Sequence, residues 1–78
     1  MKQQISELDV NKIHPNRRIH CARESIESLC RSIRSGVPVD PIAIRFTGER
    51  FIITDGEERW RACKKLGIKR VKVLIIEE

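Results

Sequence analysis

The spacing of apolar residues divides the first half of the chain into an extended segment and a helix. Residues 5–13 carry isolated apolar positions typical of a short strand or extended arm. Pro15 ends this segment, because the residue before a proline is pushed to extended geometry. Apolar residues recur at intervals of three, four and seven over residues 26–33, which predicts an amphipathic helix from residue 22 or 23 to 35. Gly36 follows as a helix C-cap signal.

The second half of the chain predicts two strands joined by a hairpin, then a helix and a final strand. Two prolines make residues 37–41 a stiff loop, because each fixes φ and removes a hydrogen-bond donor. The order strand, helix, strand, strand, helix, strand lacks strict βαβ alternation and therefore predicts an α+β fold with a small mixed sheet and two main helices. The predicted boundaries are residues 42–46 and 51–54 for the strands, 57–66 for the helix and 68–76 for the last strand.

Composition favours one small basic domain covering residues 1–78. The chain is 40% hydrophobic and 35% charged, which suits a globular unit and not a disordered tail. A formal net charge of +5 favours anionic partners such as nucleotides or nucleic acid, although a solvated surface would have the same composition. No apolar run approaches the roughly 18 residues of a membrane span, and no signal peptide is recognisable. We therefore expect a cytoplasmic protein without a membrane partner.

The three cysteines are odd in number and contain no CxxC pair, so neither a disulfide framework nor a zinc site is predicted. Cys30 and Cys63 fall on the apolar stripes of the two helices and are interpreted as core residues. Cys21 lies in a predicted loop without an assigned base and is a weak candidate nucleophile. His14 and His20 lack companion ligands at metal-binding spacing.

The most informative segment is the turn from strand to helix at residues 54–62. A glycine at position 56 lets the backbone approach a ligand closely. The first amides of the following helix point outward without partners, at the positive end of the helix macrodipole. Arg59 and Arg61 on the first turns would complete a corner for an anion, and phosphate is the usual occupant of such a corner.

The same turn has a plain structural interpretation. Asp55 with Glu58, or Thr54 with Glu57, fits a capping box, which would by itself explain the acidic residues at the helix start. The two arginines would then be surface charges that contribute little. Trp60 shares an apolar helix face and is interpreted as a core residue in preference to a platform for stacking a base.

Two earlier loops could converge on this turn. Arg17 and Arg18 in the basic loop 17–20 would supply cations for a polyphosphate, and the rigid loop 36–41 would shape a base or ribose site. Neither a helix-turn-helix nor an aromatic-rich RNA-binding sheet follows, so base-specific reading of DNA is not predicted. A solvated face or a nucleic-acid footprint would equally explain one basic run: Lys64, Lys65, Lys69, Arg70 and Lys72.

Several segments together resemble a known family. Residues 56–62, Gly-Glu-Glu-Arg-Trp-Arg-Ala, resemble the G-E-R-R-x-R-A box of ParB-type chromosome-partition proteins. Residues 32–45 resemble that family's S-I-x-x-G-[VL]-x-x-P-I-x-V-R box, and residues 13–18 are a looser match to its I-x-P-N-P-x-x-P-R segment. Order and spacing agree over almost the whole chain. The sequence is therefore similar to the ParB N-terminal domain of the ParB/sulfiredoxin superfamily.

This resemblance implies a sulfiredoxin-like fold that binds a nucleotide, typically CTP in ParB proteins and ATP in sulfiredoxin. Glu58 replaces the first arginine of the family's box, which puts an anion beside the phosphates unless Mg²⁺ bridges them. Sulfiredoxin activity is not expected, because Glu57 stands where that enzyme needs a cysteine. Carried over by position, three groups would contact the nucleotide: Gly56, Glu57, Arg59 and Arg61 at the triphosphate, Gly36 and Pro41 at the base and ribose, and Arg17 or Arg18 at a further phosphate.

We therefore expect a nucleotide-binding domain, for CTP or ATP with Mg²⁺ and without zinc, associated with DNA partitioning or transcription regulation. DNA would be contacted directly or through a partner. A weak nucleoside triphosphatase or other phosphoryl-transfer activity would use Glu57 or Glu58 to hold Mg²⁺ or position water, with Glu24 as a further candidate base. One alternative is a ParB-like nuclease built on the carboxylates at positions 55, 57 and 58. Another is a basic module that binds nucleic acid or protein without nucleotide preference.

Overall fold

A five-stranded mixed sheet organises the chain, of which the computed structural model describes residues 2–16 and 21–77. The strand order is β1-β5-β3-β4-β2; β1 is antiparallel to β5, β5 is parallel to β3, β3 is antiparallel to β4 and β4 is parallel to β2. With two helices beside this sheet, the predicted α+β class is confirmed. The strands are β1 (Lys2–Asp9), β2 (Ile13–His14), β3 (Ile42–Phe46), β4 (Phe51–Asp55) and β5 (Arg70–Glu77).

The two helices, α1 (Arg23–Arg34) and α2 (Glu57–Lys65), pack against each other beside the sheet. Cys30 of α1 is buried, and its Sγ lies 3.8 Å from the Ala62 carbonyl oxygen of α2. Cys63 of α2 is also buried, in the sheet-facing core. The interpretation of both cysteines as core residues is therefore confirmed.

The core is built from alternate residues of the central strands, which period-two side-chain alternation directs to one face. Ile44, Ile53 and Val73 have no exposed surface. Trp60 of α2 packs into the same cluster, is only 5% exposed, and donates its indole N–H to the Val10 carbonyl at 2.9 Å. This confirms that Trp60 is a core residue and removes it as a base-stacking platform.

The segment predicted as one extended arm contains two strands separated by a turn. Asp9 accepts a hydrogen bond from Asn11 N–H at 2.8 Å and caps a single turn of 3₁₀ helix at residues 10–12. The backbone N–H of Val10 meets the Lys69 carbonyl at 2.8 Å. This turn carries the chain from the β1 edge of the sheet to β2 at the opposite edge.

The end of α2 shortens the last predicted strand, which begins at residue 70 instead of 68. Ile68 N–H bonds to the Cys63 carbonyl at 3.0 Å, and Gly67 N–H bonds to the Lys64 carbonyl at 3.1 Å. These two bonds form a Schellman motif, for which Gly67 supplies the left-handed residue with φ of 76°. Residues 67–69 therefore complete the helix before β5 can start.

We expect the same chemical change to have different effects inside and outside this core. Ile53→Val should lower the free energy of unfolding by about 0.5–1.5 kcal/mol, because it removes a methylene from a close-packed site. Ile5 is 66% exposed, so Ile5→Val serves as the matched control and should change stability by less than about 0.5 kcal/mol. Urea unfolding of both variants measures the difference, and equal losses would contradict the assigned core.

Candidate functional site

A left-handed glycine joins β4 to α2. Gly56 is the N-cap residue of α2, with φ of 92° and ψ of 24°, a conformation that glycine adopts without strain. No side chain caps the helix, so the capping box considered for Asp55 with Glu58, or for Thr54 with Glu57, is not formed. The amides of the first turn therefore lack a side-chain cap at the positive end of the helix macrodipole.

The side chain of Arg59 folds back over Gly56. A Cβ at position 56 would lie 2.9 Å from Nη2 and 3.1 Å from Nε of Arg59, so a larger residue here would displace the guanidinium. The guanidinium is 4.0 Å from a carboxylate oxygen of Asp40 and 4.0 Å from one of Asp55. Among the described residues, Arg59 Nε is the one buried side-chain nitrogen or oxygen without a hydrogen-bond partner. Arg59 therefore keeps an unused donor at this corner.

Two adjoining clefts meet at Arg59, with volumes of about 480 Å³ and about 190 Å³. The larger lies between α1 and the start of α2, and the smaller lies between α1 and the loop before β3. Leu29 and Arg59 line both. The larger cleft is also lined by Ser25, Ser28, Asp55, Gly56, Glu57 and Glu58, and the smaller by Ser32, Ile33, Val37, Pro38, Val39 and Asp40.

The carboxylate of Glu57 is engaged by protein groups. Its side chain is 1% exposed. Oε1 accepts a hydrogen bond from Asn16 N–H at 2.7 Å, and Oε2 accepts from Arg61 Nε at 3.1 Å and Nη2 at 3.0 Å. The Cys21 thiol donates to the same Oε2 at 3.6 Å. Glu57 therefore ties the segments on either side of residues 17–20 to the first turn of α2.

The protonation states around Glu57 follow from these contacts. Hydrogen bonds to the Glu57 carboxylate raise the pKa of Arg61 above its already high ordinary value, so the guanidinium stays charged. Burial, and then the charge of Glu57, raise the pKa of the Cys21 thiol above its ordinary value. A thiol with a raised pKa stays protonated at neutral pH and is not an activated nucleophile.

The remaining candidate residues lie at different places. Arg17 and Arg18 fall outside the described residues. Gly36 ends α1 with φ of 93°, and the residues that follow it, not Gly36 itself, line the smaller cleft. Pro41 lines a separate groove beside β1. Glu24 is exposed on the first turn of α1 and lines neither cleft at the corner.

The sequence indicated that loop 36–41 could approach this turn, and residues 37–40 do line the smaller cleft with Arg59. Sequence reasoning missed the contribution of α1 and the contact of Asp40 with Arg59. Ser25 and Ser28 line the larger cleft from α1, and their spacing of three on the flank of the apolar stripe was a usable signal. Asp40 lies four residues past the end of the helix signal in a proline-rich loop, and nothing local to it indicated an approach to Arg59. That contact depends on how the loop folds back over α2.

Within residues 2–16 and 21–77 the structure shows neither a metal-binding cluster nor a membrane-spanning helix. The described side chains include no group of three or more histidine, cysteine, aspartate or glutamate residues placed to hold a metal ion. No helix in those ranges is long and apolar enough to cross a membrane.

Known proteins are similar to this chain in sequence and in architecture. The ParB N-terminal domain family matches residues 1–78. A probable chromosome-partitioning protein ParB from Coxiella burnetii is 35% identical over 77 residues, which are 95% of this chain and 27% of that protein. A nucleoid occlusion protein from Geobacillus kaustophilus is 36% identical over 78 residues, which are 95% of this chain and 28% of that protein. The chain thus spans about a quarter of the length of these curated relatives.

Solved structures agree with the family match. A C-terminally truncated chromosome-partitioning protein ParB from Caulobacter crescentus, complexed with CTP-γ-S, superposes with a TM-score of 0.81 at 28% identity, covering 96% of this chain and 45% of that one. A free serine kinase in complex with AMP superposes with a TM-score of 0.83 at 26% identity, covering 94% of this chain and 31% of that one. The resemblance inferred from the two sequence boxes is confirmed: the chain belongs to the ParB N-terminal domain family.

Proposed function

We propose that this domain binds the phosphates of a nucleoside triphosphate, CTP or ATP, in the cleft between α1 and the start of α2. The main support for this proposal is that two kinds of hydrogen-bond donor line the same cleft. Among the described residues, no side chain caps the helix start behind Gly56, and the buried Nε of Arg59 beside it has no acceptor. Phosphate oxygens accept from both backbone amides at a helix start and guanidinium groups.

Two further features support a nucleotide over a simple anion. The smaller cleft has mainly apolar walls from α1 and residues 37–39, which suit a base or ribose beside the phosphate corner. The ParB structure that superposes on this chain holds CTP-γ-S, and the serine kinase structure holds AMP. The names of the relatives, a chromosome-partitioning protein and a nucleoid occlusion protein, support a role in one of these two processes. In that role the domain would contact DNA directly or through a partner.

We assign Glu57 to positioning and not to ligand binding. Its buried carboxylate accepts hydrogen bonds from Asn16 and from Arg61, so little acceptor capacity remains for a metal ion. A nuclease would need several carboxylates converging on one or two metal ions, and the inward turn of Glu57 works against such a cluster. The geometry therefore favours binding over nuclease chemistry.

Glu58 has a different role in this proposal. It is half-buried and lines the larger cleft, so its carboxylate would lie near bound phosphates. Like charges repel unless a cation bridges them, and Mg²⁺ readily joins a carboxylate to phosphate oxygens. Glu58, with Asp55 of the same cleft, would be the group that holds a nucleotide-bound Mg²⁺ ion.

Calorimetric titration with CTP, ATP and GTP tests the binding proposal. We expect saturable binding of CTP or ATP. Arg59→Ala should weaken it by about ten- to a hundredfold, because a charge-assisted hydrogen bond contributes about 1.5–3 kcal/mol. Arg50→Ala, the same change in the exposed turn between β3 and β4, is the matched control and should bind like the unmodified chain. Equally weak binding of all three nucleotides that disappears together as salt rises would instead indicate a generic basic surface.

The assignment of Glu58 is tested by repeating the titration with Mg²⁺ and with EDTA. The unmodified domain should bind the triphosphate more tightly with Mg²⁺, because the cation offsets repulsion between Glu58 and the phosphates. In Glu58→Gln that dependence should shrink, mainly through tighter binding in EDTA. Glu49→Gln makes the same charge change in the exposed β3–β4 turn and should leave the dependence unaltered. An unchanged Mg²⁺ effect in Glu58→Gln would contradict the assignment.

The positioning role of Glu57 predicts a loss of stability. Glu57→Ala should lower the free energy of unfolding by about 1–2 kcal/mol, because it leaves the Asn16 N–H and the half-exposed Arg61 guanidinium without this acceptor. The matched control is Glu49→Ala at an exposed site, for which about 0.5 kcal/mol or less is expected. Urea unfolding measures both. A Glu57→Ala domain that is fully stable yet no longer binds nucleotide would show that Glu57 contacts the ligand instead.

A further inference from the structure

We propose that Asp40 holds Arg59 in the free domain and competes with the ligand for it, so that Asp40 sets the affinity of the site. The inference rests on the proposed function, because the competitor is the phosphate of the bound nucleotide. Asp40 belongs to the loop before β3, whereas Arg59 belongs to α2. Their contact therefore links two elements that the ligand site brings together.

Asp40 and Arg59 attract each other through their charges but do not form a hydrogen bond. Nη1 of Arg59 lies 4.0 Å from Oδ2 of Asp40, close enough for charge attraction and too far for a hydrogen bond. The Asp40 side chain is 85% exposed, so water weakens the attraction. A phosphate oxygen at hydrogen-bonding distance would be a better partner for the same guanidinium. The unpartnered Nε shows that Asp40 leaves part of the guanidinium's donor capacity unused.

The position of Arg59 makes the competition direct. Arg59 lines both clefts, whereas Asp40 lines the smaller and Gly56 the larger. The guanidinium therefore stands at the boundary between the two spaces and lies against Gly56. A phosphate that enters the larger cleft attracts the same guanidinium, and a turn of the guanidinium toward it would lengthen the Asp40 contact.

Asp55 does not have the same role, although its carboxylate is also 4.0 Å from Arg59. Asp55 lies four residues before Arg59 at the end of β4, so that pair lies within one turn-and-helix segment. Only the Asp40 contact joins Arg59 to the loop that walls the smaller cleft. Asp40→Asn keeps the size of the side chain and removes the charge. It is therefore the substitution that tests the competition.

The experiment titrates the domain with CTP and with inorganic triphosphate at a fixed, physiological salt concentration. Asp40→Asn should bind both probes about two- to fivefold more tightly, the range that an exposed ion pair contributes. Removing any nearby negative charge would also favour a polyanion, so Glu49→Gln serves as a charge-matched control in the β3–β4 turn and should give no such gain. Asp40 is exposed, so its replacement should not disturb folding. Equal melting temperatures of the Asp40→Asn and unmodified domains would show this.

An Arg59→Gln background separates competition for Arg59 from simple repulsion. There the Asp40→Asn substitution should give no gain, since Arg59 is absent and nothing is left to release. A gain of the same size with and without Arg59 would overturn the proposal, as would unchanged or weaker binding by Asp40→Asn alone. If neither the unmodified domain nor Asp40→Asn binds either probe, the proposed function itself fails. Binding by the Asp40→Asn domain, with no binding by the unmodified domain, would support both the proposed function and the competition between Asp40 and the ligand.

Discussion

The left-handed backbone at Gly56 is the constraint on which the site depends. A residue with a Cβ would be strained at φ of 92° and would push the Arg59 guanidinium out of its place. The same conformation starts α2 abruptly after β4 and leaves its first turn without a side-chain cap. One backbone conformation thus sets the start of the helix beside the larger cleft and makes room for the guanidinium of Arg59.

Neighbouring charged residues on that turn have opposite environments, which the sequence pattern could not distinguish. Glu57 faces inward and is engaged by Arg61 and the backbone of Asn16. Arg59 faces the clefts and has only long contacts to carboxylates. A helix separates consecutive side chains by about 100°, so one charge can serve packing while another two residues on serves a ligand. This division supports a binding role and argues against a shared carboxylate cluster.

The clefts are products of packing between elements far apart in the chain. α1 contributes serine hydroxyls and Leu29, the loop before β3 contributes Asp40, and α2 contributes its first turn. None of these surfaces forms a pocket alone. The core that includes Ile44, Ile53 and Trp60 packs against both the sheet and α2, so it helps to hold the walls of the clefts in place.

The amino-acid sequence predicted most of the helices and strands. The strand at residues 42–46 has the predicted bounds, and α1 differs from its prediction by one residue at its C-terminal end. Hydrophobic periodicity and the breaks caused by glycine and proline involve only a few neighbouring residues, so they predict local structure without tertiary context. The capping box is not formed because the N-cap residue of α2 is Gly56. Glycine has no side chain that could accept a hydrogen bond from the first amides of the helix.

The α+β class, the family and the glycine turn at residue 56 could be predicted from the chain, since each depends on local spacing. The charges that are free to meet a ligand depend instead on tertiary packing. Asn16 reaches Glu57 across 41 positions, and Asp40 reaches Arg59 from a separate loop. Whether a charged side chain is buried and paired or free to meet a ligand depends on what packs against it, and those neighbours come from distant parts of the chain.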